Sequence, residues 1–262
     1  MQRYDRLREI LRLDPDHDFL AIHRLTATYE FPWDFARAQE LALFRTYAVP
    51  AIGRLLAETA EFTDRAQRRY DDTVLLLDAV LEHGFDSDTA RTAIRRVNQM
   101  HRSYDIGNED MRYVLCTFVV IPARWLDAYG WRPLTHHERR ACANYYATLE
   151  LMASWYPAPL APAVRALGLS LFDEPLLAAL RYERPHPRVR GLFRGALWLR
   201  GRAVRLLPPR ATPHYARQNP EVKGYPDGYD VGELGTFPVP GRGGCPVPHP
   251  RRPAGADAQP PT

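Results

Sequence analysis

Lysine is almost missing: Lys223 is the one lysine in a chain whose Lys and Arg together number 35. A Walker-A phosphate loop, which needs its lysine after a run of glycines, is excluded. Schiff-base chemistry has a single candidate amine, and its Pro/Gly-rich neighbourhood is a poor place to desolvate one. Cysteine is scarce too. Cys116, Cys142 and Cys245 lie far apart with no CxxC pair and no Cys/His spacing, so neither a disulfide framework nor a zinc cluster is encoded. They read as free thiols in a reducing compartment, two of them in the core. The longest apolar runs, such as Val114 to Ala123, are too short to span a bilayer. Met1 to Arg12 is charged throughout and lacks the apolar core of a signal peptide, so the expected location is cytoplasmic. There is no strand alternation of any length, no internal repeat, and no GxGxxG, GxSxG or HExxH.

What is present suits a helical protein with a proper core. Hydrophobic residues make up 45% and charged residues 25% of 262 residues, ordinary for a globular chain large enough to bury one sizeable domain. The net charge of +4 is mild but uneven. Nine arginines against the single acid Glu183 fall between Arg181 and Thr212, which leaves the rest slightly acidic and argues against a nucleic-acid footprint.

The expected fold is all-α, a helical bundle of eight to ten helices. Residues 1–30 form N-terminal helices, the second opened by the acidic run DPDHD at 14–18. Acids at a helix start answer to capping and the helix dipole rather than to a metal. Pro32 and Pro50 open helices, and Asn108 caps a notably apolar helix that Pro122 should kink. Thr135-His-His-Glu138 is a capping box, which makes His136 and His137 first-turn surface residues. Pro157 to Pro162 breaks the chain, followed by short helices at 163–169 and 174–181. An arginine-rich helix runs from Arg188 to Leu207 with Leu192, Phe193, Ala196, Leu199, Ala203 and Leu206 on one face. That face either docks on the core or lies on an anionic membrane surface. The principal domain thus covers 31–207, an extended wrap 208–240 and a disordered tail 241–262.

The helices on either side of Gly84 carry the candidate site. Thr63 and Ser87 stand where N-caps belong and Gly84 where a C-terminal glycine belongs. In the second helix Ala90, Ala93, Ile94, Val97, Met100 and Tyr104 recur at helical spacing with His101 inside the stripe. In the first, Arg69 and Thr73 border the stripe Ala66, Tyr70, Val74, Leu77, Val80 and Leu81. A buried histidine facing an arginine and a hydroxyl could form two walls of a pocket. His101 with Asp105 gives only two metal ligands, too few for a non-haem site. One axial imidazole is enough for a haem, and Arg69, Arg95, Arg96 and Arg124 could pair with propionates. Alternatively, His101 is a core residue satisfied by a neighbour.

Three stretches, FPWDFARAQELALFRTYAVPAIGRLL, RRYDDT and RRVNQMHRSYDIGNEDMRYVLCTFVVIPARWLDAYGWRPL, together with weaker likeness through RLLPPR and YPDGY, resemble the ER-bound oxygenase MpaB / rubber oxygenase (latex clearing protein) family. The likeness is to its shorter bacterial MpaB-type members. The resemblance implies a b-type haem in a globin-like helical core, with His101 as proximal ligand to the iron. It implies that Arg69 and Thr73, matching the family's Arg-x-x-x-Thr signature, line the haem pocket, Arg69 neutralising a propionate or stabilising bound oxygen. Rubber-cleaving members place a distal lysine just before that threonine. Asp72 stands there in this chain, and Lys223 is elsewhere. The family's acidic base falls in the region of Glu58 and Glu61. The activity implied is O2-dependent oxidation of an apolar, isoprenoid- or lipid-like substrate. A haem or apolar-ligand carrier without turnover is the alternative.

Overall fold

The computed structural model describes residues 2–59, 61–150 and 186–235. Helix α1 (Asp5–Ile10) and α2 (Phe19–Arg24) lead into a π-helical turn, Leu25–Glu30, and then α3 (Pro32–Thr46), α4 (Pro50–Glu58) and α5 (Glu61–Asp64). The long helices follow: α6 (Ala66–His83), α7 (Asp88–His101), α8 (Asn108–Tyr129), α9 (His136–Glu150) and α10 (Pro187–Leu206), then a 3-10 turn at Ala216–Gln218. No strand occurs among the described residues, so the fold is all-α. The short helices expected at 163–169 and 174–181, the breaker at 157–162 and the tail from 241 lie outside the described residues.

Helix α8 is the central rod, packed most extensively against α3. Val114, Leu115 and Phe118 feed the larger core, while Trp125 and Leu126 feed a second core with Phe31 and Trp131. The helix continues through Pro122. Of the thiols, Cys142 is core but Cys116 is exposed.

Local signals with local partners formed as the residues dictate. Ser87 Oγ accepts the Ala90 N–H at 3.1 Å, and Gly84 ends α6 at φ +79°. Thr135 Oγ1 accepts the Glu138 N–H at 3.3 Å while Glu138 Oε2 accepts the Thr135 N–H at 2.8 Å. Three signals formed otherwise. Thr63 falls inside α5, and Arg65 holds the N-cap place of α6. Gly107 precedes α8, so Asn108 is its first helical residue. Helix α7 ends at His101, which puts Tyr104 in the following bend rather than on the helical stripe.

Helix α6 departs most from its amphipathic reading. Within the expected stripe only Val80 is buried, while Leu75, Leu76 and Ala79 are, and so are Asp71, Asp72 and Asp78. Carboxylates enter a core only with donors to meet them. Here residues 215–225 supply them. Asp71 accepts the backbone N–H groups of Lys223 (3.1 Å) and Gly224, plus Gln67 Nε2 at 2.8 Å. Asp72 accepts the Tyr225 hydroxyl. Asp78 accepts the Arg217 N–H at 3.4 Å. A Cβ at position 224 would sit 2.6 Å from Asp71 Oδ2, so a side chain there would displace the clamp.

Helix α10 docks through a different face from the expected one. Leu197 and Gly201 are buried, and a Cβ on Gly201 would run into the Tyr129 carbonyl oxygen at the crossing with α8. Arg200 anchors it, reaching Asp34 at 2.9 Å and stacking over Trp33 at 3.7 Å. Leu192, Leu199 and Leu206 of the apolar stripe stay exposed, at 76%, 63% and 87%. Among the described residues no helix is long and apolar enough to cross a membrane.

One ionic knot joins the start of α9 to the π turn. Arg132 forks Glu138 with two bonds of 2.7 Å and reaches Glu30 at 3.0 Å; all three side chains are buried. Burial pushes the Glu30 carboxyl up, opposed by the Arg132 guanidinium. Replacing Arg132 with methionine strands two carboxylates, so we expect a loss of about 3–5 kcal/mol, read as a lower urea midpoint at unchanged slope.

Candidate functional site

Two cavities flank α6. The first has about 770 Å³ of empty space, partly open to solvent, where α4, α6, α7 and the start of α8 converge. Ile52, Leu55 and Val114 give it apolar walls; Arg69, His101 and Glu61 give it its chemistry. The sequence thus brings His101 and Arg69 to one space. Burial, with a smaller contribution from the Arg69 charge, lowers the His101 pKa to about 3, so its imidazole is neutral near pH 7. Burial also lowers Arg69 to about 9, opposed by Tyr104, Glu61 and Asp72. The Arg69 guanidinium lies against the Met100 sulfur at 3.9 Å.

Glu61 and Glu58, indistinguishable by sequence, are separated here. Glu61 is 8% exposed and lines the cavity, ion-paired with Arg65 through Oε1, while its buried Oε2 has no hydrogen-bond partner among the described residues. Glu58 is exposed and lines neither cavity. Thr46, Thr59, Tyr104, Asp105 and Asp110 complete the polar lining of the first cavity. Among the described residues no group of three or more His, Cys, Asp or Glu is placed to hold a metal ion.

The other expected site residues lie elsewhere. Thr73 lines the second cavity, its Oγ1 donating to the Arg69 carbonyl at 2.8 Å. Asp72 is fully buried against the C-terminal segment, its pKa raised by burial and opposed by the Tyr225 hydrogen bond. Arg124 is exposed on α8 and Arg95 on α7, while Arg96 donates to the Leu234 carbonyl at 2.7 Å. None of these three lines either cavity.

The second cavity, with about 970 Å³ of empty space, lies between α3, α6 and α9. Sequence reasoning missed its most unusual member, His23. Ile22, His23, Thr26 and Ala27 share a helical face, the same signal that singled out His101. His23 is 2% exposed, stacked on Tyr145 at 4.4 Å between ring centres, with Phe35 and Tyr146 edge-on.

Two outcomes follow from these contacts. Because Lys223 is the chain's one lysine, a lysine-specific protease reports the clamp on α6 directly. Tyr225→Phe leaves buried Asp72 short of a donor, so we expect about 1–3 kcal/mol less stability and faster cutting at Lys223. Burial lowers the His23 pKa from 6.5 to about 3. As pH falls below the unfolded value, the unfolded chain takes up a proton that the folded chain refuses, so stability is lost toward acid, approaching about 1.4 kcal/mol per pH unit. His23→Phe should therefore show a shallower decline in unfolding free energy than the parent between about pH 6 and pH 4.

No protein-family model matches the chain. It is similar to the protein named ER-bound oxygenase mpaB of Penicillium roqueforti (strain FM164), 33% identical over 148 residues that cover 54% of this chain and 50% of that protein. Two proteins of Penicillium brevicompactum, named ER-bound oxygenase mpaB and mpaB', are each 30% identical over 148 residues, covering 54% of this chain and 38% and 35% of theirs. The chain thus spans half or less of the length of these curated relatives. The likeness to proteins of that name runs through the 148 residues they share.

Proposed function

We propose that this chain is a haem b-dependent oxygenase that uses O2 to oxidise an apolar, isoprenoid- or lipid-like substrate. The observation that carries the reading is the meeting of a neutral imidazole, His101, and a desolvated guanidinium, Arg69, at one apolar-walled cavity. The residues fit the group. A neutral imidazole is the form that ligates iron, and an arginine forks a carboxylate bidentately. A bound haem would supply the oxygen activation; the relatives' shared name, oxygenase, supports that chemistry.

The protein's own part is then definite. His101 would hold the iron. Arg69 would pair with a propionate, and its charge beside the ring disfavours the imidazolium. Glu61 Oε2 offers a proton acceptor on the cavity wall. Ile52, Leu55 and Val114 limit the water that reaches the site. Thr73 and Asp72 act at one remove: Thr73 through the Arg69 carbonyl and the neighbouring cavity, Asp72 by holding α6 to Tyr225.

We propose further that α10 touches an anionic membrane surface. Its exposed Leu192, Trp198, Leu199 and Leu206 lie among arginines, the composition of an interfacial helix. Phosphatidylserine-containing vesicles should co-sediment the chain and pure phosphatidylcholine vesicles much less, with Leu192→Glu/Leu199→Glu abolishing the difference. Equal, weak sedimentation with both vesicle types defeats the membrane reading.

The absorption spectrum tests the haem. After haem supplementation a Soret band should appear and be lost in His101→Ala, while Arg69→Ala weakens haem affinity about tenfold to a hundredfold. No Soret band in the parent, or an unchanged one in His101→Ala, overturns the reading. Oxygen consumption with terpenoid and fatty substrates separates an oxygenase from a carrier.

A further inference from the structure

The second cavity has features that the haem reading does not use. Its apolar wall, formed by residues such as Phe35, Leu43, Val74, Leu77, Phe118 and Leu149, carries two buried polar atoms with no hydrogen-bond partner among the described residues: His23 Nδ1 and Gln39 Oε1. They flank the same ring. The His23 ring meets Tyr146 edge-on at 5.4 Å between centres, and Gln39 Nε2 donates to the Tyr146 hydroxyl. Leaving such atoms unmet costs stability, which a ligand that meets them can return.

We propose that this cavity binds an uncharged, largely apolar molecule with one hydroxyl, held end-on by His23 Nδ1 and Gln39 Oε1. A hydroxyl is the smallest group that answers both atoms: it donates to the amide oxygen, which only accepts, and accepts from the imidazole in its Nδ1–H tautomer. Tyr145 on one face and Phe35 at the edge keep the His23 ring fixed, so the donor is pre-set and little entropy is lost on binding.

Charge decides against anions. No arginine or lysine lines the cavity among the described residues, whereas Glu40 and Asp78 do. Both acids are already engaged, Glu40 by Arg37 at 2.7 Å and the Tyr70 hydroxyl at 3.1 Å, Asp78 by the Arg217 N–H at 3.4 Å. A carboxylate or phosphate brought in would find no arginine or lysine among the described lining residues to pair with. The cavity, about 150 Å³ and open at its mouth, leaves room for a short chain or a single ring behind the hydroxyl.

The site stands apart from the first cavity, and its test does not depend on haem. Titration calorimetry of the purified chain, haem-free and haem-supplemented, with 1-octanol, octane and octanoate reads it directly. We expect 1-octanol to bind about tenfold more tightly than octane, octanoate to bind weakest, and haem to change none of the three. His23→Phe keeps the ring stacking and removes the nitrogen, so it should lower 1-octanol affinity about tenfold and leave octane unchanged. Ala36→Phe, which fills the cavity from α3, should weaken both. Should His23→Phe fail to fold, Gln39→Met must give the same separation of alcohol from alkane. Equal affinity for alcohol and alkane, octanoate binding as well as 1-octanol, loss of both ligands alike in His23→Phe, or displacement of 1-octanol by haem would each overturn the assignment. The Soret result stands or falls separately.

Discussion

Helix α6 carries three buried carboxylates, Asp71, Asp72 and Asp78, and the fold depends on how they are met. A carboxylate moved from water into a core without donors would neutralise or push the helix out. The segment from Tyr215 to Tyr225 opposes both, because its backbone N–H groups and the Tyr225 hydroxyl face α6 one after another. Arg217 adds a bidentate pair with Glu82 one turn beyond Asp78. An irregular stretch of chain thus does what a helix cannot, offering unused N–H donors sideways, and α6 is fixed in rotation by polar contacts as much as by its leucines. That rotation turns Arg69 toward one cavity and Tyr70, Thr73 and Val74 toward the other.

This explains which parts of the architecture could be read from the residues. Ser87, Gly84 and the Thr135–Glu138 box act within three or four residues of themselves, so the sequence contains both partners. Pro32 and Pro50 open helices because a proline at the first turn has no N–H to waste. The stripe on α6 misled because its acids look solvated until their donors, 139 to 153 residues away, are known. Periodicity assigns every carboxylate to water. Only the tertiary fold can overrule it.

Helix α10 shows the same limit from the other side. Its leucines mark one face as core, yet the crossing with α8 is set by Gly201, whose missing side chain lets two backbones approach. Leu197 and Arg200 sit on that face, and the Arg200–Asp34 pair, with the guanidinium over Trp33, holds it there. Close approach and a directed ion pair outweighed a wider apolar stripe. Family likeness, by contrast, marked Arg69 and His101 together, and the fold brings them to one cavity. It also marked Thr73, which belongs to the same signature but faces the other cavity, one helical turn along. Sequence spacing of four residues makes Arg69 and Thr73 neighbours on α6 without making them share a space.

The electrostatics of the first cavity close the argument. Arg69 and His101 are both desolvated, and the guanidinium charge helps to keep the imidazole neutral, so the pair carries one positive charge rather than two. Glu61, Tyr104 and Asp72 favour the charged form of the guanidinium from around it. Around them Ile52, Leu55 and Val114 give the cavity its apolar walls. The proposed haem draws on these features: the imidazole would hold its iron and the guanidinium would pair with a propionate.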